Sequence, residues 1–379
     1  MPNFSGVWNL KDQVQAIAAG RWTGVPTFEL YAWGRNGSGR LGLGDTIYRS
    51  SPVQVGELVT WAQVSSGFSQ TASVKSDSSL WTWGNNSSGQ LGDGTVISRS
   101  SPVQVGSLKN WYQVSTGENI SSSIKTDGTI WTWGINSSGG IGDNTVISRS
   151  SPVQIGALTN WSQVSSGTDF ISAIKTDGTI WTWGLNGNGQ LGQNSQINRS
   201  SPVQLGALTN WSQVSAGDRH ASAVKTDGTL WSWGRNDLDG RLGDNTIISK
   251  SSPVQVGALT DWSQVSAGSD FTAAVKTNGT IWAWGENSSG QLGQSNVIKR
   301  SSPVQVGVLT NWSQVSAGRL STSVKTDGTL WAWGYNGGGQ LGQNNTISRS
   351  SPVQIGAAST WSYVSASGHV LAILQGATN

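Results

Sequence analysis

Only two histidines, His220 and His369, occur in the 379 residues, and neither stands at a spacing that suggests a hydrolytic triad or a metal site. Each reads as a structural hydrogen-bonder. Three carboxylates, Asp237, Asp239 and Asp244, gather around the segment 235–243, which carries one inserted residue. Calcium is the ion such a group could take, but the glycine and ligand spacing of a recognised calcium loop is missing. A glycine-rich string, Gly-x-Asn-x-x-Gly-Gln-Leu-Gly, recurs along the chain, as at 84–92, but it lies between strands. A phosphate loop needs a helix N-terminus behind it. Cysteine is absent, which removes disulfides and thiolate-bound metals. The expectation is a protein with no catalytic residues, no metal and no cofactor.

Two residue types recur at regular intervals. A cation precedes each Ser-Ser-Pro, at Arg49, Arg99, Arg149, Arg199, Lys250, Arg300 and Arg349. If the chain closes on itself, these form a circle of seven charges that could draw an anion or an acidic partner; alternatively each ties down its own loop through a carbonyl or a nearby carboxylate such as Asp93 or Asp143. Lys75, Lys125, Lys175, Lys225, Lys276 and Lys325 read as strand-end lysines that blunt edge pairing. Of the 22 tryptophans, thirteen fall in Trp-x-Trp-Gly strings and seven in Trp-x-x-Val strings. Both rings of Trp-x-Trp leave the same face of a strand, so packing between layers is their expected role, with a sugar-stacking platform as the alternative.

These residues need elements to hold them, and the period supplies them. The second tryptophan of Trp-x-Trp-Gly falls at Trp83, Trp133, Trp183, Trp233, Trp284 and Trp333, a repeat of about fifty residues. Each block carries four short runs rich in Val, Ile, Thr and Trp, none with helical spacing. They are Ser-Pro-Val-Gln-Val, Trp-Ser-Gln-Val-Ser, Ser-Ala-Val-Lys and Leu-Trp-Thr-Trp-Gly. Four strands per block make a blade, so the fold class is all-β, a seven-bladed β-propeller of four-stranded blades. Asp127-Gly128, Asp177-Gly178, Asp227-Gly228, Asn278-Gly279 and Asp327-Gly328 mark a tight hairpin turn, from which Asp77-Ser78 departs. The block proline, from Pro52 to Pro352, suits a strand that can lose a donor. At the C-terminus, 361–375 supplies two strands and no Trp-x-Trp-Gly, while Tyr31-Ala32-Trp33-Gly34 supplies that strand near the N-terminus. One blade is therefore expected to join both ends of the chain and remove two open edges.

Gly-x-Asn-x-x-Gly-Gln-Leu-Gly after the paired tryptophans, then Pro-Val, then Val-Ser-x-Gly, resembles the RCC1 repeat family of seven-bladed propellers over about residues 28–375. The resemblance implies the fold. It leaves function open, because the family includes exchange factors for small GTPases, chromatin binders and bacterial enzyme inhibitors. The exchange factors insert a protruding wedge, and no block here is long enough to hold one. The chromatin binders use a basic tail, whereas residues 1–25 carry only Lys11, Asp12 and Arg21 as charges.

What varies between blocks points to contacts. After Val-Ser-x-Gly the chain reads Phe-Ser-Gln at 68–70, Glu-Asn-Ile at 118–120, Thr-Asp-Phe at 168–170, Asp-Arg-His at 218–220, Ser-Asp-Phe at 269–271 and Arg-Leu at 319–320. These loops fall on one rim, and loops of this kind carry binding. Phe68, Glu118, Asp169, Phe170, Asp218, Arg219, His220, Asp270, Phe271 and Arg319 are the expected partner-binding residues, an aromatic and charged mixture suited to a protein interface.

Only 11% of residues are charged, against roughly 25% in an average soluble domain, so the surface is neutral and hydrogen-bonding. No Lys/Arg cluster of the kind that tracks phosphates is present, and a nucleic-acid partner is not expected. Residues 1–25 form a separate leader with neither a secretory signal pattern nor an apolar span, and the propeller is assigned to 26–379. Ser5–Lys11 and Gln13–Trp22 resemble N-terminal segments of structural proteins of tailed bacteriophages. The resulting expectation is a non-catalytic module on a phage particle, docked by its leader and turning rim loops toward virion proteins or a host surface. An inhibitor or adaptor propeller and a lectin that binds glycans are the alternatives, with an exchange factor behind them.

Overall fold

The computed structural model describes residues 27–57 and 60–376. The leader, with Trp8 and Trp22, lies outside the described residues. Among the latter there are 28 strands and no helix, arranged as seven antiparallel sheets of four. One blade is β3 (Trp61–Ser66), β4 (Gln70–Lys75), β5 (Leu80–Gly84) and β6 (Arg99–Gln104), side by side in that order. β3 packs against its counterparts Trp111–Thr116 and Trp361–Ala366 in the flanking blades. The Trp-x-Gln-Val-Ser strands thus circle a central channel, and the Arg-Ser-Ser-Pro-Val-Gln strands form the outer edge.

The blades are offset by one strand from the sequence blocks. The Pro-Val-Gln strand pairs with the Trp-x-Trp-Gly strand before it, Trp81 opposite Gln104 and Thr82 opposite Val103. It is the last strand of one blade, not the first of the next. The closing blade therefore takes two strands from each end, in the order β2 (Arg49–Gln54), β1 (Phe28–Gly34), β28 (His369–Gln375), β27 (Trp361–Ala366). β1 and β28 pair without a break from Phe28 opposite Gln375 to Gly34 opposite His369. Pro52 sits where the outer ladder skips between Val53 and Arg49, so its missing N–H leaves no partner unpaired.

The second strand of a blade has neighbours on both sides and blades on both faces. All six residues of β4 are buried, which is why the strand reads small: Thr71, Ala72, Ser73. Blades meet through an aromatic triad. Trp61 meets Trp81 and Trp83 edge-on at 6.5 and 5.8 Å, the geometry that ring quadrupoles favour. Trp83 is fully buried and its indole donates to the Arg40 carbonyl of the neighbouring blade at 2.9 Å. The packing role expected for the tryptophans holds for the inner ring and the second ring of the pair.

The lysines do not protect edges. Lys75 ends an interior strand, is 6% exposed, and sets its ammonium 4.7 Å from the Trp61 ring centre and 3.6 Å from that of Trp81. Lys125, Lys175, Lys225, Lys276 and Lys325 repeat the arrangement. A desolvated ammonium over an indole face is worth about 2 kcal/mol. In the closing blade, where Tyr31 replaces the first tryptophan, Leu374 stands opposite Trp361 in place of lysine.

Side chains on the inner strands stitch each blade to the next. Gln113 accepts from the Val164 N–H at 3.0 Å and donates to the Val164 carbonyl at 3.4 Å. The repeated asparagine, for example Asn86, is buried and organises the long loop between β5 and β6. Its Oδ1 accepts from the Leu91 N–H and its Nδ2 donates to the Thr95 and Ile97 carbonyls. That explains the Gly-x-Asn-x-x-Gly-Gln-Leu-Gly string as a loop brace.

Candidate functional site: the channel mouth

The turn from the inner to the second strand and the long loop from the third to the fourth strand emerge on the same face. On that face the channel narrows to a polar mouth of about 80 Å³, lined by the Gly67 to Gly318 turns and by Phe68, Glu118, Asp218 and Ser269. The turns touch each other: the Asp218 N–H donates to the Gly268 carbonyl at 3.3 Å and the Ser269 N–H to the Gly318 carbonyl at 3.1 Å. A second hollow of about 220 Å³ adjoins it, lined by Asp218, Ser269, Asp270, Glu286, Arg319 and Tyr335, among others.

The structure divides the rim residues into two groups. Phe68, Glu118, Asp169, Asp218, Asp270 and Arg319 are partly accessible at or beside the mouth, and Arg219 is exposed. Phe170, His220 and Phe271, expected among the contacts, are buried at 0, 0 and 1% exposure. Each is the last residue of its variable triplet and the first of a second strand, where both faces are covered. They belong to the core.

Charge around the mouth is unevenly shared. Glu118, Asp169, Asp218 and Asp270 come from four consecutive blades. Burial, then the Asp270 and Glu118 carboxylates, push the Asp218 carboxyl up to about 6; burial and Glu118 also raise Asp169. Across the mouth Arg319 lies over the Phe68 ring at 4.6 Å. The two share this space because the closing blade between them turns through Ser367 and Gly368, with no large side chain.

Two residues that sequence reasoning passed over hold this face together. Arg40 and Arg241 take the place of glutamine in Gly-Gln-Leu-Gly, and that replacement was the signal available. Arg40 donates to the Phe68 carbonyl at 2.7 Å. Arg241, 1% exposed, donates to the Ser269 carbonyl and pairs with Asp239 and with Asp270, the latter at 2.8 Å. Each such arginine accompanies a buried histidine. The Thr71 hydroxyl donates to the Arg40 carbonyl and the Thr272 hydroxyl to the Arg241 carbonyl, so each hydroxyl oxygen is left to accept from His369 Nε2 or His220 Nε2. Both imidazoles are neutral and protonated on Nε2. Burial, then the adjacent Arg241 or Arg40 guanidinium, holds each well below the usual histidine range.

The calcium candidates and the cation circle resolve into ion pairs. Asp237 pairs with Arg235, Asp239 with Arg241 and Lys299, and Asp244 with Lys250. No group of three or more potential metal ligands occurs among the described residues. Arg49, Arg99, Arg149 and Lys250 are closed by Asp45, Asp93, Asp143 and Asp244. Arg199 and Arg300 instead reach the amide oxygens of Gln193 and Gln294 at 3.3 and 3.4 Å, and Arg349 is exposed. The seven cations are not equivalent. Glutamine replaces aspartate beside Arg199, Arg300 and Arg349, leaving charge there.

Among the described residues no helix is long and apolar enough to cross a membrane. A search of curated protein sequences finds no match. Among solved structures, yeast RCC1 (Prp20) bound to Kap60 superposes with a TM-score of 0.83 at 18% identity, covering 100% of this chain and 95% of that one. Human WBSCR16 does so with a TM-score of 0.83 at 21% identity, covering 92% and 98%. Prp20p from Saccharomyces cerevisiae, in a study of its binding to Gsp1p and histones, gives 0.82 at 18%, covering 98% and 95%. These likenesses carry the fold. The sequence profile of the RCC1-like domain matches residues 29–373, nearly the whole propeller, and the chain belongs to that family.

Proposed function

We propose that this chain is a non-catalytic binding module that grips a protein through the mouth face, and that the partner offers it a basic segment. The observation that carries this is the arc of Glu118, Asp169, Asp218 and Asp270 at and beside the mouth, where burial, and then the Asp270 and Glu118 carboxylates, raise Asp218 to about 6. A lysine or arginine inserted there relieves the repulsion among carboxylates that the fold holds in place. The similar structures named above include one with Kap60 bound and one studied for binding Gsp1p and histones, which supports protein binding as a use of this fold.

The setting we propose is a phage particle, on the strength of the leader at 5–22 and its resemblance to tailed-phage structural proteins. Mass spectrometry of purified virions tests the setting, and absence of the chain from them would remove it. Photo-crosslinking from position 219, exposed on the same rim, tests the mode of binding. The expected adducts lie on one protein, beside its lysines and arginines, and are lost in Glu118→Lys with Asp270→Lys. Faster nucleotide release from a small GTPase would replace this reading with exchange.

A further inference from the structure

Grooves run down the outside of the ring where two blades meet. One, of about 520 Å³, is lined by Arg199, Gln193, Gln204 and Leu205 from one blade and by Trp211, Trp231 and Pro253 from the next, among others. Another, of about 510 Å³, repeats the set with Arg49, Gln54, Val55, Trp61, Trp81 and Pro102. Both volumes lie within the ~300–1,000 Å³ usual for small-molecule sites. Neither groove is lined by a carboxylate, which argues against a cation as the occupant.

The aromatic wall is prepared in advance. Trp231 is half-buried, its indole N–H is committed to Thr229 Oγ1 at 2.9 Å, and the Lys225 ammonium lies 3.9 Å from its ring centre. The ring cannot turn away. Trp211, beside it, has an indole N–H that is buried and finds no acceptor; the same holds for Trp61 in the second groove. Along the outer lip stand Gln204, whose amide carries both a donor and an acceptor, and the guanidinium of Arg199, a donor with no carboxylate partner that is steadied by the Gln193 amide oxygen, while Gln193 itself donates to Thr182.

From this juxtaposition we infer that the interblade grooves bind the pyranose rings of a glycan. One face of a pyranose presents apolar C–H bonds that lie flat on an indole. Its edge presents hydroxyls, each both donor and acceptor, which amide and guanidinium groups meet in pairs. Arg49 is already paired with Asp45, so the groove beside it holds no unpaired cation, and the sugar we infer is a neutral hexose. Arg or Lys, Val, Gln, Trp and Ser-Pro recur at every blade boundary, so single sites of low affinity would combine on a glycan-coated surface. This site lies apart from the mouth, and its failure leaves the reading of the mouth untouched.

Saturation-transfer NMR on the full chain with methyl glucoside, galactoside, mannoside and N-acetylglucosaminide tests the inference. Transfer to the C–H protons of one ring face is expected. In 1H–15N spectra the saccharide should move indole resonances of the Trp231 and Trp211 type and leave those of the fully buried Trp233 type in place. Changing Gln204 and its six counterparts on the outer strands to alanine should lower binding at least tenfold with an unchanged melting temperature. If that variant fails to fold, the indole shifts of the unaltered protein decide. The inference is overturned by no transfer from any of the four sugars together with a blank glycan array. Sugar binding that the glutamine changes do not weaken overturns it too, as does a proline-rich peptide occupying the grooves where sugars do not.

Discussion

Ser365, on the last inner strand, accepts the main-chain N–H of Ser66 at 2.9 Å across 299 residues of sequence. It is one link of seven. Ser65 accepts from Thr116, Ser115 from Ser166, Ser165 from Ala216, Ser215 from Ala267, Ser266 from Ala317 and Ser316 from Ala366. The hydroxyls form an unbroken hydrogen-bonded circle around the channel, and the seam between chain ends is bonded like the other boundaries. Replacing Ser365 with alanine leaves a part-buried N–H without its acceptor, at an expected cost of about 1 kcal/mol. Denaturant unfolding measures it, and a loss no larger than that of a surface Ser→Ala change would show the circle to be incidental.

The turns at the mouth leave no room for a side chain. A Cβ added to Gly117 would overlap the Gly167 carbonyl oxygen of the next blade, and backbone cannot yield as a flexible side chain does. Gly117→Ala is expected to cost more than about 3 kcal/mol. Gly106, with φ +62° and nothing near its would-be Cβ, should lose only about 1 kcal/mol as alanine. Equal losses in thermal melts would contradict the steric account.

Ser78 occupies the hairpin position that glycine fills elsewhere, and it adopts φ +62° where Gly128 has +78°. The turn keeps its shape at the expense of a left-handed non-glycine residue. Ser78→Gly is expected to stabilise the protein by about 0.5–1 kcal/mol, read as a higher melting temperature.

His220 and His369 stay neutral in the fold but take a proton near pH 6.5 when unfolded. The unfolded chain then binds more protons, so stability is intact above pH 6.5 and falls as pH drops below it. Gln70 fills the equivalent strand position, buried and donating to the Gly117 carbonyl at 3.1 Å. The double change His220→Gln, His369→Gln should remain folded at pH 7 and flatten the decline between pH 6.5 and 5. A decline of unchanged steepness in urea unfolding would assign it to other groups.

Asp218 has the opposite sign. Its carboxyl is raised from 3.8 to about 6 in the fold, so the native state binds the extra proton, and this contribution is lost as pH rises from 4 to 6. Asp218→Asn is expected to stabilise the protein by about 1–2 kcal/mol at pH 7 and to weaken partner binding. Stabilisation with undiminished binding would remove Asp218 from the site.

Much of the fold was legible because strand patterning is local. Trp-x-Trp-Gly, Asp-Gly and Val-Ser-x-Gly each act within a few residues, and Tyr31–Gly34 could be matched to 361–375 by what each end lacked. The lysines were misread because Lys75 looks like an exposed strand end until Trp61 and Trp81 from two strands close over it. Arg40 and Arg241 were passed over because only the fold brings each beside a histidine and a threonine.

The sequence by itself determined an all-β ring of seven blades, since period, turn chemistry and alternation need no partner beyond the next strand. Only the tertiary structure decided which of the variable residues face outward. In Thr168-Asp169-Phe170 and Ser269-Asp270-Phe271, the carboxylate stays partly accessible beside the mouth and the aromatic begins a strand enclosed by two blades. A one-residue step along a strand reverses the side chain's direction, and burial then depends on what stands on each side. The cations were settled in the same way. Asp93 and Asp143 could be read as partners from the sequence, but only the folded loop shows which aspartates close on their cation and that glutamine at the same place leaves charge at Arg199 and Arg300.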